Sequence, residues 1–294
     1  MRLLYLYRRR QRGQIKNFME DSKKQQVIGL ERLYNDAEWT SFVGKPVIPI
    51  GAETGTNNLV ANLQNGGNFL VGGKTGSGKS SFFHAAIVNL LRNTNPEELK
   101  FILIDPKGVE LGAYKNIPQL LFPMITNVKD ARKALEWCMS EIDRRSDLFA
   151  KQPYITIEDY NAKSSHPLPR IVIVIDECSD LLVSDHEFFE GAIRYITAGI
   201  QLKGMTVLLG TSRPSPEDVY TKKLTDIFDY RIAFATATAE DSMSILGVEG
   251  AEKLQGNGDM LFLYPDIEVP AHIQGFFVGN EEMREAIEKA TTKF

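Results

Sequence analysis

The sequence predicts an α/β protein with a mostly parallel central sheet flanked by helices. Two observations support this prediction. First, short and nearly all-apolar segments alternate with longer helix-compatible segments, as in β-α-β units. These predicted strands are Phe101 to Ile104, Ile171 to Ile175, Thr206 to Gly210 and Arg231 to Ala235. Their apolar content is typical of strands that helices cover on both faces. Second, a glycine-rich turn joins another apolar stub, Phe69-Leu70-Val71, to a helix-compatible stretch.

The composition is that of an ordinary globular protein. Of the 294 residues, 43% are hydrophobic and 24% are charged, so the chain can bury a real core. The formal net charge of −4 provides no global basic field that would indicate a nucleic-acid partner. Cys138 and Cys178 are the only cysteines, which favours a reducing compartment over a disulfide framework. No apolar run approaches the ~18 residues of a membrane span, so we predict a cytoplasmic protein without an integral membrane segment.

The chain divides into three predicted parts. Residues 1–26 begin with several arginines and form a basic arm, which either contacts DNA phosphates or an anionic membrane surface, or is a solvated tail. Residues 27–67 form a small lead-in module, with a short helix at Leu30 to Tyr34 and an edge strand at Pro46 to Gly51 that prolines interrupt. Residues 68–294 form the main α/β domain.

Within the main domain, the clearest helix is Val128 to Phe149. Its apolar residues recur on one stripe that includes Cys138, and Asn127 precedes it as the predicted cap. Cys138 is therefore predicted to be a core residue. The C-terminal part adds predicted strands at Met260 to Leu263 and Ile273 to Val278, and a closing helix at Glu281 to Ala290.

The glycine-rich turn has the P-loop pattern, Gly73-x-x-x-x-Gly78-Lys79-Ser80, with a strand before it and a helix after it. Glycines let consecutive backbone N–H groups converge on a polyanion, and the helix that follows adds its positive end. Lys79 is then the cation for the β- and γ-phosphates, and the Ser80 hydroxyl is a ligand for Mg²⁺. The alternative is an ordinary glycine turn, but every fixed position and both flanks match. The predicted ATP-binding residues are Gly73, Lys74, Thr75, Gly76, Ser77, Gly78, Lys79, Ser80 and Ser81.

A second motif completes an ATPase site. The strand Ile171 to Ile175 ends in Asp176-Glu177. Asp176 would hold Mg²⁺ through water, and Glu177 would orient and deprotonate the attacking water. The polar end of the next strand carries Thr211 and Ser212, either of which is a candidate sensor of the γ-phosphate. The alternative for these two residues is an ordinary Ser/Pro loop.

Several blocks together resemble one family, the FtsK/SpoIIIE double-stranded DNA translocases. They occur in that family's order between roughly residues 68 and 278. The blocks are Gly73-Lys-Thr-Gly-Ser-Gly-Lys-Ser80, Phe101-Ile-Leu-Ile-Asp-Pro-Lys107 with Glu110-Leu111, Ala134-Leu-Glu-Trp-Cys-Met-Ser-Glu141 with Arg144-Arg145, Ile171-Val-Ile-Val-Ile-Asp-Glu177 with Asp180-Leu181, Thr211-Ser-Arg-Pro-Ser215, Arg231-Ile-Ala-Phe234, and Gly250-Ala-Glu-Lys-Leu254 with Gly258-Asp-Met-Leu261. The resemblance implies a RecA-like motor core that forms a hexameric ring around duplex DNA and translocates it with ATP.

The resemblance also implies residue roles. Lys79, Ser80, Asp176 and Glu177 keep the roles given above, and an arginine from a neighbouring subunit completes each site. Arg194 is the nearest match to that arginine. The family commonly has Gln where this chain has Ser212, so either Thr211 is the sensor or the coupling is altered. The chain also shows neither a membrane-spanning N-terminal region nor a winged-helix domain, so we expect a minimal motor of a plasmid or other mobile element that depends on a separate loading protein.

Contacts to DNA are predicted in the loop after Thr211. Arg213, Lys222 and Lys223 are the candidates there, because a motor that moves along any sequence should bind phosphates. The alternative track uses Arg144, Arg145 and Lys151 on the long helix and just after it. Two other functions stay open: an ATPase of this family that drives protein secretion, of the type VII kind, and a nucleotide-gated adaptor without turnover.

Overall fold

The computed structural model describes residues 27–53, 57–151, 154–199, 203–212, 222–265 and 267–292. The strands are β1 (Ile28–Gly29), β2 (Val47–Glu53), β3 (Asn58–Asn62), β4 (Phe69–Gly72), β5 (Leu99–Ile104), β6 (Arg170–Ile175), β7 (Met205–Thr211), β8 (Tyr230–Phe234), β9 (Asp259–Leu263) and β10 (Ala271–Phe277). The helices are α1 (Glu31–Tyr34), α2 (Lys79–Asn93), α3 (Val128–Ala150), α4 (Ile157–Asn161), α5 (Ser179–Ser184), α6 (His186–Gly199), α7 (Lys222–Thr225), α8 (Ala239–Leu246) and α9 (Asn280–Thr292).

Five of these strands form a parallel half-sheet, in the order β8-β4-β7-β6-β5. Every residue of β4, β6 and β7 is buried, as their apolar sequences predict. Side chains alternate between two cores, one on each face of the sheet. Val172 and Val174 of β6 belong to the core that includes α2 and α9, while Ile173 and Ile175 belong to the core of α3, α5 and α6. The predicted α/β fold with flanking helices is confirmed.

The other half of the sheet is antiparallel. β9 pairs with β8, and β10, β2 and β3 follow outward, while β1 runs parallel to β10. Residues of the predicted lead-in module therefore extend the same sheet as the C-terminal strands. Leu30, Trp39 and Val47 share one core with Phe69 of β4. The division at residues 26 and 67 stays a prediction, and residues 1–26 lie outside the described part of the chain.

The prediction that Pro46 to Gly51 forms an edge strand is wrong in one respect. β2 lies between β3 and β10, and β3 is the edge. β10 pairs only with the second half of β2, from Gly51 to Glu53, and the β2–β3 register shifts between Pro49 and Gly51. Pro49 has no N–H to donate, and it precedes the part of β2 that pairs with β10. A bulge directly after Pro49 accommodates the shift in the β2–β3 register.

The long helix forms as predicted. α3 begins after Asn127, whose side-chain oxygen accepts a hydrogen bond from the Asp130 N–H at 2.9 Å. Cys138 is fully buried in the core, as its position on the apolar stripe predicts. Within the described residues, no helix combines the length and the apolar content that crossing a bilayer requires.

Candidate nucleotide-binding site

The carboxyl ends of the five parallel strands meet at one edge of the sheet, and the P-loop lies there between β4 and α2. Gly73, Gly76 and Gly78 have φ angles of 147°, 76° and 129°, a region that side chains disfavour. A Cβ atom at Gly73 would lie 2.8 Å from the Phe234 Cβ. One at Gly78 would lie 2.8 Å from the Gly258 Cα. The loop therefore needs glycine at these two positions for contact with its neighbours as well as for its own conformation.

Three hydrogen bonds fix the P-loop to the ends of other strands. The Gly73 N–H donates to the Thr211 carbonyl at 3.3 Å, and the Lys74 N–H donates to the Ala235 carbonyl at 2.8 Å. The Ser77 carbonyl accepts from the Gly258 N–H at 2.9 Å. Lys74, Thr75 and Gly76 stay exposed, so the top of the loop is accessible to a ligand.

The side chains of the P-loop fit a phosphate. Lys79 is the first residue of α2 and is buried, and its Nζ donates to the Gly73 carbonyl at 2.7 Å across the loop. Burial lowers the pKa of Lys79, while the neighbouring Glu177, Asp176 and Glu110 carboxylates oppose that shift. The buried Ser77 Oγ has no hydrogen-bond partner among the described residues. A glycine cradle with a buried cation and an unpaired hydroxyl is what an anionic ligand would complete.

The two predicted acidic residues follow β6, beside the P-loop. Asp176 is 8% exposed and Glu177 is 4% exposed. The pKa of Asp176 is raised to about 7, chiefly by burial and also by the nearby Asp105 and Glu110 carboxylates, while Lys79 opposes the shift. An excess of buried negative charge of this kind suits a divalent cation.

The donor set fits Mg²⁺. The half-buried Ser80 hydroxyl, in the first turn of α2, and the Asp176 carboxylate are hard oxygen donors. The described residues contain no group of three or more His, Cys, Asp or Glu side chains that would form a complete metal cage. Mg²⁺ in nucleotide sites uses one or two protein oxygens and takes the rest from phosphates and water. Ser80 and Asp176 are therefore the residues that would hold it.

The Glu177 carboxylate has a hydrogen-bond partner on each oxygen. Oε2 accepts from the backbone N–H of Ser212 at 2.9 Å, and Oε1 accepts from the Ser179 hydroxyl at 2.8 Å. The Ser179 Oγ lies 3.2 Å from the Oγ1 of Thr211, which is fully buried. The structure thus brings both candidate sensors, Thr211 and Ser212, to Glu177, although Ser212 contacts it through its backbone.

Sequence reasoning gave no role to the loop after β5, which borders the site. The buried Asp105 organises this loop: its Oδ1 accepts from the N–H groups of Lys107 and Gly108 at 3.1 and 2.9 Å, and its Oδ2 accepts from the Leu111 N–H at 3.0 Å. The organised loop carries Lys107 and Glu110, whose charges act on Lys79. The signal for it was present in the block Asp105-Pro-Lys107, which contributed only to the resemblance.

The predicted residues away from the P-loop have different surroundings. Arg194 on α6 is exposed, and its Nη1 lies 3.8 Å from the Glu190 Oε1. Lys151 is exposed just after α3. Lys222 and Lys223 begin α7, but their side chains lie outside the described part of the structure, as does the whole of Arg213.

The assignment of Arg145 to a DNA track is wrong. The Arg145 side chain is 1% exposed, and its three donor nitrogens are used inside the protein. Nε donates to the Glu141 Oε1 at 2.7 Å, Nη1 to the Lys203 carbonyl at 2.6 Å, and Nη2 to the Pro169 carbonyl at 2.9 Å. Arg144, its neighbour, is half-exposed and forms two hydrogen bonds with Glu141.

Comparison with known proteins yields one family. The model of the FtsK/SpoIIIE family matches residues 29–166. The DNA translocase FtsK of Clostridium tetani is 40% identical over 266 residues, which are 88% of this chain and 36% of that protein. The DNA translocase FtsK of Lactiplantibacillus plantarum is 37% identical over 254 residues, 83% of this chain and 32% of that protein. The chain thus spans about a third of the length of these curated relatives.

Solved structures agree on the fold. The conjugation coupling protein TcpA of pCW3, in monomer form with ATPγS, superposes with a TM-score of 0.73 at 24% identity, covering 83% of this chain and 70% of that one. The cytoplasmic domain of the type VII secretion ATPase EccC of Thermomonospora curvata superposes with a TM-score of 0.74 at 23% identity, covering 90% of this chain and 34% of that one. The match of residues 29–166 to the family model, with 37% and 40% identity to two FtsK proteins over most of this chain, confirms the resemblance that the sequence blocks indicate and assigns this P-loop domain to the FtsK/SpoIIIE family.

Proposed function

We propose that this chain is an ATP-hydrolysing motor that translocates double-stranded DNA. The observation that carries the proposal is the meeting of Lys79, Asp176 and Glu177 at the carboxyl edge of the parallel strands. This arrangement occurs in a chain that is 37% and 40% identical to proteins named DNA translocase FtsK.

Each residue has a distinct task in the proposed reaction. The amides of the P-loop and Lys79 bind the phosphates, and Ser80 and Asp176 hold the cation. Mg²⁺ held by Ser80 and Asp176 would supply positive charge against the charge that develops on the transferred phosphoryl group. Glu177 orients the attacking water and accepts its proton, because it is the buried carboxylate next to the predicted sensor residues.

The proposed partners are duplex DNA and further copies of the chain. We place the protein in the cytoplasm, as a homo-oligomer that is expected to be a hexameric ring, with Arg194 acting on the neighbouring site and a separate protein that loads the motor. Arg213, Lys222 and Lys223 remain the predicted phosphate contacts.

Protein secretion is the weaker candidate, because the likeness to EccC at 23% identity concerns the fold alone. A silent adaptor is disfavoured, because Lys79, Asp176 and Glu177 are all in place.

The decisive measurement is ATP turnover with and without duplex DNA or an unfolded polypeptide. DNA, and not the polypeptide, should raise the rate.

Lys79→Ala should abolish nucleotide binding, because it removes the cation of the phosphate site. Glu177→Gln should bind nucleotide as the parent does and fail to hydrolyse it, since an amide cannot accept the proton. Near-parental turnover by Glu177→Gln, or stimulation by the polypeptide alone, would contradict the proposal.

A further inference from the structure

Ser179 connects the strand-end residue Thr211 to the Glu177 carboxylate. It is the first residue of α5, two positions after Glu177, and is 7% exposed. Its Oγ lies 2.8 Å from the Glu177 Oε1 and 3.2 Å from the Thr211 Oγ1. Its backbone N–H also points at the same carboxylate oxygen, at 3.4 Å.

The direction of these hydrogen bonds follows from the chemistry of the groups. A carboxylate only accepts, whereas a hydroxyl has one hydrogen to donate. The Ser179 hydrogen must therefore point to Glu177, and the Thr211 hydroxyl must donate to Ser179. Hydrogen bonds in such a chain polarise one another, so the Thr211 donation strengthens the Ser179 donation.

We propose that Ser179 is a positioning residue for hydrolysis, which fixes the Glu177 carboxylate and couples it to Thr211 at the end of β7. With Ser179 on one oxygen and the Ser212 amide on the other, the carboxylate has one orientation in its buried site. A displacement of the end of β7 would reach Glu177 by two routes. One is direct, through the Ser212 N–H, and the other runs from Thr211 through the Ser179 hydroxyl. The inference rests on the proposed hydrolytic function and adds a residue to it.

The predicted effect is on the chemical step. Ser179→Ala should lower kcat for ATP about tenfold to hundredfold, the factor that corresponds to one hydrogen bond to a charged group. The KM for ATP should stay within about twofold, because the side-chain hydrogen bonds of Ser179 among the described residues are to Glu177 and Thr211 and not to the P-loop. Ser179→Thr should recover most of the rate, since it keeps the hydroxyl. Ser184→Ala is the matched control: it removes a hydroxyl from the same helix, where Ser184 donates only to the Leu181 carbonyl, and should leave both constants unchanged.

A double-mutant cycle tests the coupling. Thr211→Val should lower kcat in the parent, and its effect should be smaller in Ser179→Ala, because the hydrogen bond between the two hydroxyls is then already lost. The same cycle is measured on the free energy of unfolding without nucleotide, where Ser179 and Thr211 should again be non-additive.

The two readouts separate the possible failures. A parent without ATP turnover, combined with a non-additive unfolding cycle, would refute the proposed function and leave the hydrogen-bonded chain in place. A parent that hydrolyses ATP, combined with an unchanged or raised kcat in Ser179→Ala, would overturn the role of Ser179. Additive effects in both cycles would overturn the coupling.

Discussion

At the scale of single residues, two adjacent arginines of α3 have opposite roles. Arg145 is buried with three hydrogen bonds, while Arg144 is half-exposed and its side-chain hydrogen bonds among the described residues go to Glu141. Arg145→Ala should reduce the free energy of unfolding by several kcal/mol. The Lys203 and Pro169 carbonyls lose this donor, at about 1–3 kcal/mol each, and the buried Glu141 carboxylate keeps only its hydrogen bonds from Arg144.

Arg144→Ala is the matched control for that measurement. An exposed ion pair contributes about 0–1 kcal/mol, so urea denaturation should separate the two variants by several kcal/mol. Equal midpoints and slopes for Arg144→Ala and Arg145→Ala would show that Arg145 does not have this structural role.

Asp176 makes the stability of the nucleotide-free protein depend on pH. Burial, with the help of Asp105 and Glu110, raises the pKa of Asp176 from 3.8 to about 7. Between about pH 4 and pH 7 the folded protein keeps the Asp176 proton that the unfolded chain has released. The contribution of Asp176 to the free energy of unfolding is therefore fully present below about pH 4 and is lost as the pH rises through 7. Asp176→Asn removes the charge. It should therefore stabilise the apoprotein at pH 8 by up to about 4 kcal/mol and have little effect at pH 4.

The control for this pH dependence is Asp180→Asn, which neutralises an exposed carboxylate on α5. It should change the free energy of unfolding by little at either pH. If Asp176→Asn had the same effect at pH 4 and pH 8, the buried negative charge would not be the cause.

How much a residue's role can be predicted depends on the range of its contacts. The P-loop and the acidic pair were predictable, because their chemistry is local in sequence. Arg145 was only partly predictable: the apolar stripe of α3 contains Cys138 and Ile142, and three positions further it reaches Arg145. Its carbonyl partners, at Pro169 and Lys203, are brought there by chain that no local pattern indicates. Ser179 was missed for the same reason, because it follows β6 whereas its partner Thr211 lies at the end of β7.

At the scale of elements, the antiparallel half of the sheet supports the P-loop through one glycine. Gly258 precedes β9, has a φ of 88°, and donates to the Ser77 carbonyl. A Cβ there would lie 2.9 Å from the Gln274 Nε2. Gly258→Ala should cost about 1–3 kcal/mol of stability from backbone strain. It should also raise the Kd for nucleotide, because the P-loop loses a fixed neighbour.

A glycine without such constraints is the matched control for Gly258. Gly191 lies within α6, is exposed and has open space around its Cα. Gly191→Ala should stabilise the protein by about 0.5–1 kcal/mol and leave nucleotide affinity unchanged. Calorimetric titration with ATP and urea denaturation on both variants measure the two effects. Unchanged nucleotide affinity in Gly258→Ala would indicate that the turn before β9 only flanks the loop.

The elements differ in how well sequence predicts them. The parallel strands and α3 are strongly apolar or strongly periodic, and the structure confirms them within one or two residues. The position of β2 inside the sheet was not predictable, because it depends on pairing with β10, more than two hundred residues later. The prolines predicted an edge strand. In the structure only the first half of β2, which contains Pro49, has no described partner on the side of β10.

At the scale of the whole molecule, the proposed ring makes each site depend on a neighbour. Arg194 is exposed and its ion pair with Glu190 is long, at 3.8 Å, so Arg194→Ala should hardly change stability. If Arg194 acts on the adjacent subunit, Arg194→Ala should bind nucleotide and lose turnover. Parent turnover should rise more than linearly with protein concentration.

Mixing two inactive variants tests this arrangement directly. Lys79→Ala subunits cannot bind nucleotide but retain Arg194, and Arg194→Ala subunits have the converse defect. The mixture should regain part of the turnover that neither variant has alone. The absence of complementation, together with a specific activity independent of concentration, would contradict the shared site.

The strand order also dictates when the nucleotide site can exist during synthesis. β4, which leads into the P-loop, has β7 and β8 as its neighbours, and Phe69 pairs with Leu208 and Tyr230. These contacts close loops of well over a hundred residues, and such non-local pairings form slowly. An emerging chain that ends anywhere before β7 holds the phosphate-binding sequence without either strand that supports it. The site therefore becomes competent for a nucleotide only once β7 and β8, more than a hundred residues after the P-loop, have left the ribosome.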